Sequence, residues 1–348
     1  MSLRSTIRLL AFLPVFWVFS SCEKDPPQIT DPGQMPVELK VPAHFTEPPV
    51  PENNPLTVAK VKLGRKLFFD PILSLDSTIS CGSCHFQEKA FADPAQFSAG
   101  VGGALGTRNA PALINLAYGR SFFWDGANPS LETQVLFPIE AENEMHNTIP
   151  EVLIRLRRHP EYQELFQDAF GKEPDITGLL FSIASFERTL ISSNNKFDQY
   201  KMGDSTALSP SERRGMQIFF GENAECFHCH GSFAFTTEEF HNNGIYEEYE
   251  DPGRWGFTGD SRDIGKFKTP TLRNIAVTGP YMHDGSFTSL REVIDHYESG
   301  GKNHPNKSVL IRKFPQQLSE QEKEDLIAFL HALTDETFLT NPDFKPAP

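Results

Sequence analysis

Apolar residues recur at helical spacing through most of the chain beyond Leu56. Val58, Val61, Leu63, Leu67 and Phe68 predict a helix over 58–69, and Leu179, Leu180, Ile183, Phe186 and Leu190 predict another over 176–191. Two later helices carry capping boxes at their starts, Ser209 with Glu212 and Ser319 with Glu322. In each, the serine side chain serves the N–H three residues on, and the glutamate answers the serine N–H. No alternating run is long enough for a substantial sheet, so the pattern predicts an all-α fold.

The pattern fails at the N-terminus. Arg4 and Arg8 precede an apolar run from Leu9 to Phe19, too short to span a bilayer and suited to an export signal over 1–21. Phe19-Ser20-Ser21-Cys22 resembles the lipoprotein signal, in which cleavage leaves an acylated Cys22; a plain secretory signal with an incidental cysteine is the alternative. Residues 22–55 are rich in proline and read as an extended tether to a membrane. Length allows two domains of ordinary size. A net charge of -14 argues against nucleic acid and favours a basic protein partner.

The chain also repeats itself. Gly64-Arg65-Lys66-Leu67-Phe68-Phe69 precedes Cys81-Gly82-Ser83-Cys84-His85, and Gly215-Met216-Gln217-Ile218-Phe219-Phe220 precedes Cys226-Phe227-His228-Cys229-His230. Pro111 to Asp125 and Pro270 to Asp284 both span 14 residues; Asp125 to Leu131 and Asp284 to Leu290 both span six. This predicts a duplicated domain, the first copy and a helical connection over 56–205 and the second over 206–340.

Each copy carries C-x-x-C-H, in which two thiols three positions apart suit the two vinyl groups of a c-type haem and the following histidine suits its iron. The expected cofactors are two covalent haems, on Cys81, Cys84 and His85 and on Cys226, Cys229 and His230. A zinc site would join CxxC pairs 145 residues apart, far beyond zinc-ribbon spacing. Four cysteines for haem and Cys22 for lipid leave no odd thiol. The open question is the opposite face of each iron, because a sixth ligand makes a carrier and an open position admits peroxide.

CGSCH, RNAPALIN, FFWDG, SLETQ, Glu144-Met145, CFHCH, FKTPTLRN and PYMHDGSF, in that order over 56–335, resemble the bacterial di-haem cytochrome c peroxidases and the MauG-type enzymes. The resemblance implies two cytochrome c-like haem domains. It implies Glu144 as the acid-base group above the first haem, Gln134 as the residue orienting bound oxygens, and Trp124 as an electron relay between the haems. Taken alone, Gln134 and Glu144 would read as solvated polar residues and Trp124 as a core aromatic. Where many members carry a ligating histidine this chain has Val101, which predicts an open first haem.

In the second domain the place of the peroxidases' methionine ligand falls on Tyr297, matching the MauG-type enzymes. His296 is its rival, but adjacent helical residues point about 100° apart, so one alone can face the iron. Phenolate ligation favours ferric and higher states, whereas thioether ligation favours ferrous iron. The resemblance further implies one calcium ion on Asn109, Thr278 and Pro280, an oxygen-only set.

The leading expectation is an exported, lipid-anchored oxidoreductase on the periplasmic side of a bacterial membrane. It reduces hydrogen peroxide at the His85 haem with electrons from a small redox protein, passed through the His230 haem. A MauG-type oxidase of aromatic residues in a protein partner is the second expectation, and a non-catalytic di-haem electron carrier the third.

Overall fold

The computed structural model describes residues 32–347, so the expected signal over 1–21, Cys22 and the start of the tether lie outside it. The fold is mostly helical with one small sheet. The first half contains α1 (Val58–Phe69), α2 (Leu131–Gln134), α3 (Leu136–Glu140), α4 (Ile149–Arg158), α5 (Pro160–Phe170) and α6 (Ile176–Arg188). After α7 (Lys196–Lys201) the second half contains α8 (Pro210–Phe219), α9 (Phe227–His230), α10 (Trp255–Thr258), α11 (Leu290–Ser299), α12 (Glu320–His331) and α13 (Glu336–Thr340). Helix α1 has the predicted bounds, while α6 stops at Arg188, short of the predicted 191. Both predicted capping boxes are formed, at the starts of α8 and α12. Strands β1 (Phe240–His241) and β2 (Phe267–Lys268) pair antiparallel, a short ladder that alternation over longer windows misses.

The two halves use the same contacts. Helix α1 lies across α6 and α8 across α12, and each crossing is set by a glycine. A Cβ on Gly64 would sit 1.8 Å from the Ser182 carbonyl oxygen, and one on Gly215 would sit 1.9 Å from that of Asp325. Behind each crossing, Phe68 meets Phe186 and Phe219 meets Phe329, both with ring centroids 5.3 Å apart. Asn115 and Asn274 both adopt the left-handed conformation that asparagine tolerates. Their side chains accept from the N–H groups of Ser192 (2.8 Å) and Asp335 (2.7 Å). Asn274 Nδ2 then donates to Ser192 Oγ (3.0 Å), which joins the halves.

The halves also exchange segments. Phe338, Leu339 and Phe344 from the C-terminus belong to the core of the first half. From Pro32 onward the proline-rich segment is part of the folded body, a correction to its reading as tether over the whole of 22–55. Pro36 bridges Thr57, Phe45 packs on Phe233 with centroids 4.4 Å apart, and the buried Asn54 donates to Glu132 (2.9 Å). Scattered contacts of this kind leave no periodic signal. Beneath Phe45, Arg273 is fully buried and binds both carboxylate oxygens of Asp198, at 2.7 and 2.8 Å.

Candidate active site

Both C-x-x-C-H segments wind through one turn, with His85 N–H on the Cys81 carbonyl and His230 N–H on the Cys226 carbonyl, each at 3.0 Å. The turn brings both thiols and the imidazole of each motif to one cavity of ≈ 1540 Å³ that runs through both halves. That volume exceeds an ordinary single-ligand pocket of about 300–1,000 Å³.

His85 Nδ1 lies 2.6 Å from the Phe91 carbonyl and His230 Nδ1 lies 2.8 Å from that of Phe235. A carbonyl only accepts, so Nδ1 carries the proton in both rings and Nε2 keeps its lone pair for a metal. Phe91 and Phe235 both hold positive φ, at 60° and 52°, in the turns that present these carbonyls. Burial disfavours protonation of both rings and takes His230 down to about 4. Burial also raises all four thiols, Cys226 to about 12 and Cys229 to about 11, so none is an activated thiolate.

At the His85 end the wall carries Gln134, at the end of α2, and Glu144, in the turn after α3. Neither side chain is hydrogen-bonded within the described residues. Glu144 is open to the cavity but enclosed by protein, so loss of hydration pushes its carboxyl upward. The Val101 N–H donates to the Glu144 carbonyl at 2.8 Å, and a Cβ on Gly100 would meet the Asn143 carbonyl oxygen at 2.3 Å. The loop at the expected histidine position is thereby held against the backbone of Glu144.

Trp124 lines the cavity and its Nε1–H donates to the Asn109 carbonyl at 2.8 Å. Its repeat partner His283 is buried, stacked on Phe267 with centroids 3.7 Å apart. The backbone here is reciprocal: Asn109 N–H donates to the His283 carbonyl (2.8 Å) and Lys268 N–H to the Trp124 carbonyl (2.7 Å).

At the His230 end, Tyr297 of α11 lines the cavity, and burial raises its phenol to about 12. His296 is turned elsewhere, with Nε2 3.0 Å from the Asn243 carbonyl. Met216 packs in the core of the second half. Met282 reaches the cavity, where its sulfur accepts from Asn243 Nδ2 at 3.3 Å. Asn109, Thr278 and Pro280 line the same cavity. Asn109 Nδ2 donates to the Ala95 and Gln96 carbonyls (2.9 and 3.3 Å), which aims its Oδ1 away from them.

Asn243 and Glu187 also line the wall, and neither was singled out from the sequence. Asn243 sits in an irregular segment with no signal. Glu187 lies four residues after Ile183 on the apolar stripe of α6, and a charge inside that stripe was the available sign.

Residues 58–206 match the di-haem cytochrome c peroxidase family. The chain is 40% identical over 301 residues to the methylamine utilization protein MauG of Methylorubrum extorquens, covering 84% of each chain. It is 37% identical to the cytochrome-c peroxidase IdrP1 of Pseudomonas sp. (strain SCT), over 82% of this chain and 83% of that one. Among solved structures it resembles a MauG-like protein associated with microbial copper homeostasis. The TM-score there is 0.84 at 36% identity, covering 89% of this chain and 99% of that one. The chain belongs to the di-haem cytochrome c peroxidase family, oxidoreductases that act on peroxide and use two haems.

Proposed function

We propose that this protein reduces hydrogen peroxide to water at the His85 end of the cavity, with electrons entering at the His230 end from a small redox protein. The observation that carries this reading is one cavity lined by two thiols and an imidazole from each motif, by Trp124, and by Gln134 and Glu144, whose side chains have no hydrogen-bond partner among the described residues. Its residues fit two haems. Cys81, Cys84, Cys226 and Cys229 would bond them covalently, and His85 and His230 Nε2 would hold the irons. When bound, the haems supply electron transfer and an iron face for peroxide.

The protein's own part is proton movement and positioning. Glu144 takes the proton from the peroxide oxygen nearer His85 and delivers it to the far oxygen, so that the far oxygen leaves as water. Gln134 donates to the near oxygen and holds it in place. Overall, peroxide, two electrons and two protons give two waters. Trp124 carries electrons between the ends. Asn109, Thr278 and Pro280 would contribute oxygens to a calcium ion that fixes this junction. The shared crossings and hydrogen bonds of the halves support descent from one duplicated domain. The first 22 residues support export and lipid attachment at Cys22.

A second reading, MauG-type oxidation of aromatic residues in a protein partner, is favoured by Tyr297 on the wall at the His230 end, where a phenolate ligand would stabilise oxidised iron. Purified holoprotein should retain two haems through denaturing electrophoresis and consume peroxide with a reduced small cytochrome c. Haem without turnover would leave the second reading ahead. Haem with both irons low-spin and six-coordinate would overturn both in favour of a carrier.

A further inference from the structure

Glu187 has no part in the mechanism above, yet it is the most confined carboxyl on the cavity wall. It lies on α6, is 5% exposed, and its Oε2 is buried with no hydrogen-bond partner. The adjacent Arg188 does not serve it, because that guanidinium binds both oxygens of Glu132 on α2, at 2.6 and 3.0 Å. Burial without a partner raises the Glu187 carboxyl to about 8, with Arg188 opposing and Glu132 reinforcing the shift. When ionised it would raise the Cys81 thiol, in the turn of the first motif, as Glu144 would.

The repeat shows that this carboxyl is particular to the first half. Helices α6 and α12 correspond through their glycine crossings at Ser182 and Asp325. On that register Ile183 matches Leu326 and Glu187 matches Leu330, and all four line the cavity. The wall beside the second motif is therefore leucine where the wall beside the first is an acid. A buried acid without a partner costs stability that leucine would not, so its presence in one half alone points to a task there.

We propose that Glu187, buried without a partner on the cavity wall beside the first motif, is a tuning residue that sets the first haem's reduction potential. Protonated near neutral pH, it favours the oxidised iron once it ionises. The inference rests on the haem reading above. A negative charge in a low-dielectric wall stabilises the additional positive charge of oxidised iron. By linkage, oxidation of the iron eases loss of the Glu187 proton, so in the alkaline range where the carboxyl ionises, reduction of the iron is accompanied by partial proton uptake there. The first centre would then stay easy to reduce near neutral pH, and the leucine-lined second centre would lack this response.

The test is spectroelectrochemical titration of both haems in the full holoprotein between pH 6 and about 9, for wild type, Glu187→Gln and Glu187→Leu. In wild type the first haem's potential should fall as pH rises, and in both variants that fall should be lost while the second haem is unchanged. A flat first-haem potential in wild type, or an unaltered slope in the variants, overturns the proposal. A haemochrome assay separates the two levels: two haems with no Glu187 dependence sink this inference alone, whereas absence of haem sinks the reading beneath it. Gln preserves the shape of Glu, and the wild-type titration stands without either variant.

Discussion

Trp124 donates its indole N–H to the Asn109 carbonyl at 2.8 Å, and Asn109 donates its own N–H to His283, the residue in Trp124's place in the other half. The two halves therefore meet through one residue, Asn109, whose backbone N–H and carbonyl contact the two members of the pair. A ring held by its N–H in a shared junction has a fixed orientation, which an electron relay requires.

Trp124→Phe keeps an aromatic ring but removes this bond. The loss should cost about 1 kcal/mol in stability and slow electron passage between the ends, with two haems still bound. Stopped-flow reduction, with electrons entering at the second centre, measures that passage; an unchanged rate removes Trp124 from the route.

Glu144 sits with its carboxyl raised by lost hydration. A base must be ionised to act, so activity should be present above its pKa and disappear as pH falls through it. The acid limb of the peroxide rate should accordingly lie above the usual glutamate value of about 4.3. Glu144→Gln should lower kcat by roughly 10²–10⁴ and abolish that limb. Full turnover in this variant would exclude Glu144 as the proton carrier.

Tyr297 faces the cavity while His296 is bound to Asn243. Tyr297→Phe should convert the second haem from low-spin to high-spin in EPR spectra, and His296→Ala should leave its spin state as it was. The opposite pattern would make His296 the ligand, and a sulfur-to-iron charge-transfer band in wild type would point to Met282.

Gly215 lies where a Cβ would come 1.9 Å from the Asp325 carbonyl oxygen, backbone that cannot swing aside as a side chain can. Gly215→Ala should force α8 and α12 apart and cost about 1–3 kcal/mol or more. Gly64→Ala should do the same to α1 and α6. A melting temperature within a degree of wild type for either variant would contradict the crossing geometry.

The sequence by itself determined the local features whose physics is short-range: the α1 period, the serine-glutamate boxes of α8 and α12, and the two C-x-x-C-H turns. The expectation of a repeat came from matched motifs and spacings, and the glycine crossings of the two halves are compatible with it. Which of two adjacent residues faces the cavity depended on tertiary structure, because the sequence fixes the angle between Tyr297 and His296 but not the helix's rotation against its neighbours. The docking of 32–55 and the return of Phe338 and Phe344 to the first core depend on single contacts between distant segments. Glu187 joins both levels: its place on the apolar stripe is written in the chain, but its lack of a partner depends on Arg188 being held by Glu132, 56 residues away.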